Sequence, residues 1–246
     1  MPASNDLAPN DHTPIDLAPI DLAPIDLTPI DLTMPIADHF RWPVERRLVA
    51  DHGKGDLFQV TWQGFAVHGF THMDSPRHYF PDGKTTDDIG LEQTVGSAAV
   101  IDLFGIEPMT AIDAEMLDAN GAHVVSGEIV VFRTGWGERR SASTPDFWLD
   151  APYLERSAAQ WLLARSPKAV AFDFPQDYCI RLLLSGEIRP IEEHVSHDVL
   201  LRNDVVLIEY LTNTRALTTA RISFCCLPLK LPDSDGAPAR VVAWLN

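Results

Sequence analysis

The sequence predicts an α/β domain, and three observations carry that expectation. Apolar runs of strand length alternate with longer stretches of helical periodicity. Strand runs outnumber helical patterns. At 246 residues and 46% hydrophobic content, the chain can bury one sizeable core or at most two small ones.

The N-terminus departs from that pattern. From Asn5 the chain reads as six pentads, NDLAP NDHTP IDLAP IDLAP IDLTP IDLTMP, ending at Pro35. A proline at every fifth residue removes amide donors and forbids a continuous helix, so the segment reads as extended or polyproline-like. Residues 1–38 contribute Asp6, Asp11, Asp16, Asp21, Asp26, Asp31 and Asp38, seven of the sixteen net negative charges, and no Lys or Arg. Residues 1–29 are therefore expected to form a disordered tail, with the folded domain spanning 30–246 and beginning at a first strand in IDLTMPI (30–36).

Beyond it, strands are predicted in DLFQVTW (56–62), FAVHGF (65–70), AAVIDLF (98–104), EIVVFRTG (128–135), AVAFDF (169–174), VVLIEYL (205–211) and ISFCCLPL (222–229). Helical spacing is best in LERSAAQWLLARS (154–166) and IEEHVSHDVLLRN (191–203), with a shorter piece near Ala111 to Ala119.

Charge and cysteine usage narrow the function classes. A formal charge of −16 repels phosphate backbones and anionic lipid, which disfavours nucleic-acid and membrane-surface partners and favours a small-molecule substrate. Cys179, Cys225 and Cys226 cannot form a fully paired disulfide set and read as reduced core residues. No window approaches eighteen apolar residues, and residues 1–38 hold no Lys or Arg, so neither a membrane span nor a secretory signal is expected. The cytoplasm is the default compartment.

Candidate chemistry concentrates in HGFTHMDSPRHYFPDG (68–83). His68, His72, Asp74 and His78 share one face of a regular strand, but a strand separates His68 from His72 by about 13 Å, too far for one cation. A helix brings the two histidines together and throws Asp74 around the cylinder, and Gly69 and Pro76 disfavour it. What remains is a strand that bends near Gly69 and runs into a loop, letting two imidazoles and a carboxylate converge. Such a set leaves coordination positions open, as catalytic zinc sites do. Local spacing alone also admits a solvated polar loop.

HGFTHMDSPRH resembles the H-x-G-T-H-x-D-x-P-x-H signature of the "Putative cyclase" family, which includes bacterial kynurenine formamidases and has isatin hydrolases as relatives. KTTDDIGLEQTVGSAAVIDL, VVFRTGW, HDVLLRNDVVLIEYLTN and LPLKLPDSDGAPARVVA resemble family segments in the same order, from about Ile30 to Ala243. The resemblance implies a single domain of the swivelling β/β/α type, with mixed sheets and a few flanking helices. It implies one or two divalent cations, Zn²⁺ or Mn²⁺: the first on His68, His72 and Asp74, the second on a bridging Asp74 with His197 and Glu209, twelve residues apart. His194 competes with His197. His78 corresponds to a residue beside the metals that moves protons. The implied activity is hydrolysis of a small amide, lactam or lactone through a metal-activated water, with a C–N bond favoured and N-formylkynurenine the best-named substrate. Isatin hydrolase-like or lactone hydrolase chemistry, or a non-catalytic metal-binding protein, are the alternatives. A homodimer or larger oligomer, such as a tetramer, is also implied.

Two departures stand out. Phe70 occupies the glycine position before Thr71, and Glu209 stands where isatin hydrolases tend to carry glutamine, which favours the formamidase type. Phe65, Phe70, Tyr79, Phe80 and Trp42 are candidate walls for an aryl or alicyclic substrate, and Arg77 is a candidate carboxylate anchor. Because the tail holds no proposed ligand, deleting residues 1–29 is expected to leave melting temperature and metal content nearly unchanged. Failure of the truncated chain to fold would show the pentads to be structural.

Overall fold

The computed structural model describes residues 28–246. The expected tail, apart from its last two residues, lies outside them. The expected single α/β domain with a mixed sheet is what forms, and the sheet closes on itself.

Twelve strands are present among the described residues. β1 (Ile30–Asp31), β2 (Val44–Ala50), β3 (Val60–Phe65), β4 (His72–Asp74), β5 (Val95–Asp102) and β6 (Ala111–Ile112) come first. β7 (Ile129–Arg133), β8 (Tyr153–Leu154), β9 (Ala169–Ala171), β10 (Val206–Glu209), β11 (Arg221–Pro228) and β12 (Gly236–Leu245) follow. Eight of them lie in the order β1-β12-β11-β5-β7-β9-β10-β4, and a further pairing of β4 with β12 closes the ring. The stretch β5-β7-β9-β10 is parallel; the pairings through β4, β11 and β12 are antiparallel.

Strand alternation divides the side chains between two cores. Ala98, Val100, Ile129, Val131, Ala169, Ala171, Val206, Ile208, Met73, Phe224 and Val241 point into the barrel. Their neighbours Ala99, Ile101, Val130, Phe132, Val170 and Leu207 face outward and are covered in part by α-helical residues such as Leu117, Ala158 and Leu162. Because the parallel strands are buried on both faces, they read in the sequence as continuous apolar runs.

Several expected boundaries shift. The strand expected at 65–70 ends at Phe65; Gly69 N donates to Ala66 O (3.1 Å) in a turn, Phe70 takes φ 60°, and pairing resumes at His72. The strand expected at 56–62 starts only at Val60. The helix expected over 191–203 is broken into two 3₁₀ turns around a single helical segment, Val195–Val199, because His194 leaves helical geometry at φ −85°, ψ 72°. Near 111–119 a short strand precedes the helix Ala114–Asn120. The expected helix at 154–166 is present as Arg156–Leu163. All three cysteines are free. Among the described residues, no helix is long and apolar enough to cross a membrane.

Asp173, buried just beyond β9, ties together the segments that follow β7, β9 and β10. Its carboxylate accepts from Thr134 N (3.0 Å), Thr134 Oγ1 (2.7 Å), Gly135 N (2.8 Å) and Thr214 Oγ1 (2.5 Å). Removing it strands buried donors whose desolvation costs about 1–3 kcal/mol each. Asp173→Ala should therefore lower unfolding free energy by about 3 kcal/mol or more in denaturant titration; a loss under about 1 kcal/mol would show the network to be dispensable.

Candidate metal centre

β4 carries His72 and Asp74 on the outer face of the barrel and Met73 on the inner one. Pairing with β10 sets Glu209 opposite His72, so the Glu209 carboxylate reaches the same outer face. His197 arrives from the short helix Val195–Val199. All four are buried.

Their polar atoms converge. His72 Nε2 lies 3.1 Å from Asp74 Oδ1 and 3.8 Å from Glu209 Oε2; His197 Nε2 lies 3.4 Å from Asp74 Oδ2 and 3.6 Å from Glu209 Oε1. Ligands about 2.0–2.1 Å from a tetrahedral cation stand about 3.3–3.4 Å apart, which is the middle of this range. Asp74 Oδ2 is buried and makes no hydrogen bond among the described residues. Two imidazole nitrogens and two carboxylates around an orphaned buried oxygen fit a divalent cation.

His68 completes the set from the turn before β4. Its Nδ1 lies 2.7 Å from Asp74 Oδ1. Each of these three histidines is gripped at its other nitrogen. His72 Nδ1 donates to Phe70 O (2.8 Å), His197 Nδ1 donates to Asp177 (2.6 Å), and His68 Nε2 meets Asp235 (2.9 Å). Such outer partners fix the tautomer and aim the inner nitrogen of a ligating histidine. Here all three inner nitrogens face the Asp74 carboxylate.

The charges are balanced inside the cluster. Burial alone would raise Asp74, yet His72, His197 and His68 hold its carboxyl well below the usual range. Burial and the Asp74 charge push Glu209 up. For His68, burial works downward but Asp74 and Asp235 prevail, lifting it to about 9; for His197, Asp177 and Asp74 likewise outweigh burial and lift it to about 10. His78 behaves oppositely. Burial first, then the neighbouring histidines, pull it down to about 4 against the attraction of Asp74. Its ring stacks on His68 with centroids 3.6 Å apart.

His194, the competing histidine, caps the helix start rather than joining the Asp74 cluster, and its Nδ1 lies 2.7 Å from Tyr79 Oη. Together with Asp177 and His197 it could form a third ligand group, but Asp177 is already engaged by His197. Arg77 is exposed and donates from Nε to Gly83 O. Trp42 and Phe70 are buried in an aromatic cluster with Tyr210 and Trp148 instead of forming an open wall. Phe70 does line a cavity of about 440 Å³, but none of His68, His72, Asp74, His197 or Glu209 lines it. Phe65 lines another, Phe80 packs against the outer core and Arg202, and Tyr79 lies 4.3 Å from the His197 ring.

Sequence reasoning did not find Asp177, Gln176 or Asp235. Gln176 donates to Glu209 and to Ser196. Both Gln176 and Asp177 follow the carboxyl end of a parallel strand, where sites collect in α/β sheets, and that position was the available signal.

Comparison with known proteins agrees with the geometry. A family model described as "Putative cyclase" matches residues 30–176. Cyclase-like protein 1 of Arabidopsis thaliana is 27% identical over 203 residues, covering 80% of this chain and 73% of that protein. A kynurenine formamidase of Bacillus mycoides is 26% identical over 177 residues, covering 72% and 76%. An isatin hydrolase A from Labrenzia aggregata superposes with a TM-score of 0.71 over 88% of this chain and 93% of its own, at 19% identity.

The two helix histidines can be told apart by metal content. His197→Ala should lower the cation stoichiometry in elemental analysis, and His194→Ala should leave it intact. The reverse pattern would place His194 in the centre.

Proposed function

The chain belongs to the Putative cyclase family, and from that premise we propose that it is a metal-dependent hydrolase of a small amide, lactam or lactone. A C–N bond is the favoured target, and an arylformamide such as N-formylkynurenine is the favoured substrate. The observation that carries this reading is the aim of three outward-anchored histidines at one buried carboxylate with an unpartnered oxygen. His68, His72 and Asp74 would hold one cation, and Asp74, His197 and Glu209 a second. Imidazole and carboxylate donors suit Zn²⁺ and Mn²⁺ alike.

When bound, such a cation polarises a carbonyl and lowers the pKa of water toward about 7. The chain's own groups supply the rest. Asp177 and the Phe70 carbonyl keep His197 and His72 from rotating away. Gln176 holds the Glu209 carboxylate in place. His78, neutral through its burial, takes a proton from the attacking water onto a ring nitrogen and returns it to the leaving nitrogen. Two partly exposed side chains, His68 and His78, stand on the open side of the cluster, where a small substrate would enter.

A formamidase reading is preferred to an isatin hydrolase one because position 209 is a carboxylate. We further propose a homo-oligomer in the cytoplasm. The hairpin of β2 and β3 supports the first part, since it exposes Val49, Phe58 and Leu57, the last at 92%. The free cysteines support the second.

The test is hydrolysis of N-formylkynurenine, formyl anilides, isatin and lactones by metal-reconstituted protein. Turnover of none of them, with cations bound, would leave a binding protein. For His78→Ala, cations should stay while single-turnover hydrolysis falls by roughly 10²–10⁴-fold. Cations lost together with rate would make His78 a ligand instead.

A further inference from the structure

The loop Ser234–Gly236 is held against the cluster by its backbone. Gly236 pairs with Asp74 across β12 and β4. Ser75 N and Ser75 Oγ donate to the Asp235 carbonyl at 3.0 and 2.8 Å, and Thr86 N and Oγ1 donate to the Ser234 carbonyl at 2.8 and 3.0 Å. Gly236 has no room for a side chain, because a Cβ there would meet His68 Cε1 at 2.6 Å and Met73 O at 2.9 Å. The loop therefore packs directly on the His68 imidazole. Its Asp235 carboxylate reaches His68 Nε2 at 2.9 Å and stands 3.9 Å from His78 Nδ1.

His68 has more need of such a hold than the other two histidines. Its side chain is 22% exposed, against 1% for His72 and 4% for His197, and it sits on a turn rather than in a ladder or helix. Packing restrains its ring least. A carboxylate on the outer nitrogen fixes the tautomer and raises the basicity of the inner one.

We infer that Asp235 is a positioning residue that keeps His68 Nδ1 turned to Asp74 and so sets the affinity of the cation position that His68 serves. The inference rests on the two-cation reading above. It predicts a selective effect: the position served by His68 weakens without Asp235, while the position of His197 and Glu209 is untouched.

The experiment is Zn²⁺ titration of metal-stripped full-length protein against a chromophoric chelator. Asp235→Ala should weaken one of two cations by about 10–100-fold and shift the other by less than about threefold. Asp235→Asn keeps an acceptor oxygen and should recover part of the loss. Adding Glu209→Gln to Asp235→Ala should then strip the cation that remained. The stripped proteins should melt together, since an exposed carboxylate adds little to the fold. A two-site isotherm unchanged by Asp235→Ala, or an equal loss at both positions, overturns this assignment alone. A wild-type chain that binds no Zn²⁺ overturns the metal reading and this assignment with it.

Discussion

The backbone of His72–Asp74 must pair with β10 and with β12 at once, because that double pairing closes the sheet into a barrel. Three residues satisfy it. Alternation then leaves no freedom: Met73 enters the inner core, and His72 and Asp74 stand outside beside Glu209. A slip of one residue would bury His72 and Asp74 in the barrel and expose the methionine, so the apolar core enforces the register of the polar site. The same closure brings β12 and the Ser234–Gly236 loop against His68. Core packing and site geometry are thus one constraint seen from two faces of a strand.

That arrangement is electrostatically costly. Asp74 and Glu209 are buried carboxylates on one face, and burying a charge without compensation costs several kcal/mol per ion. Imidazoles offset Asp74, which is why its carboxyl is held low, but Glu209 is left pushed upward by burial and by Asp74 itself. Apolar residues at these positions would serve the fold as well or better. The cluster is therefore better explained by ligand binding than by stability. Gln176 and Asp177, which hold Glu209 and His197, serve the same end.

The parallel strands were legible in the sequence because burial on both faces leaves near-continuous apolar runs, as in residues 129–133 and 206–209. Three strands that break that rule were not. β12 reads GAPARVVAWL, with a proline and an arginine inside it; β2 reads VERRLVA and is solvent-facing; β4 is three residues long. The pairing of β4 with β10 and with β12 is decided by partners distant in sequence, which local pattern does not encode. The site divides in the same way. His68, His72, Asp74 and His78 stand in one short motif; the convergence of the first three followed from excluding a straight strand and a helix, and the place of His78 came from the family resemblance. His197 and Glu209 came from family spacing, whereas Asp177 and Asp235 act through contacts made only after the barrel closes.

Phe70 shows how a departure from the family pattern is accommodated. Its φ of 60° lies in the left-handed region, where a glycine is at ease and a bulky residue costs roughly 1–2 kcal/mol. Full burial of a phenylalanine side chain contributes roughly 1.5–3 kcal/mol, and Phe70 is 2% exposed, packed on Trp42 with ring centroids 5.0 Å apart. Burial offsets the strain. The conformation also points the Phe70 carbonyl at His72 Nδ1, so the imidazole presents Nε2 to Asp74. With glycine, the turn would be strain-free but untethered, its geometry left to backbone preference alone. With phenylalanine, the aromatic cluster of Trp42, Trp148 and Tyr210 fixes the turn from outside, and the aim of a proposed metal ligand becomes coupled to the packing of the outer core.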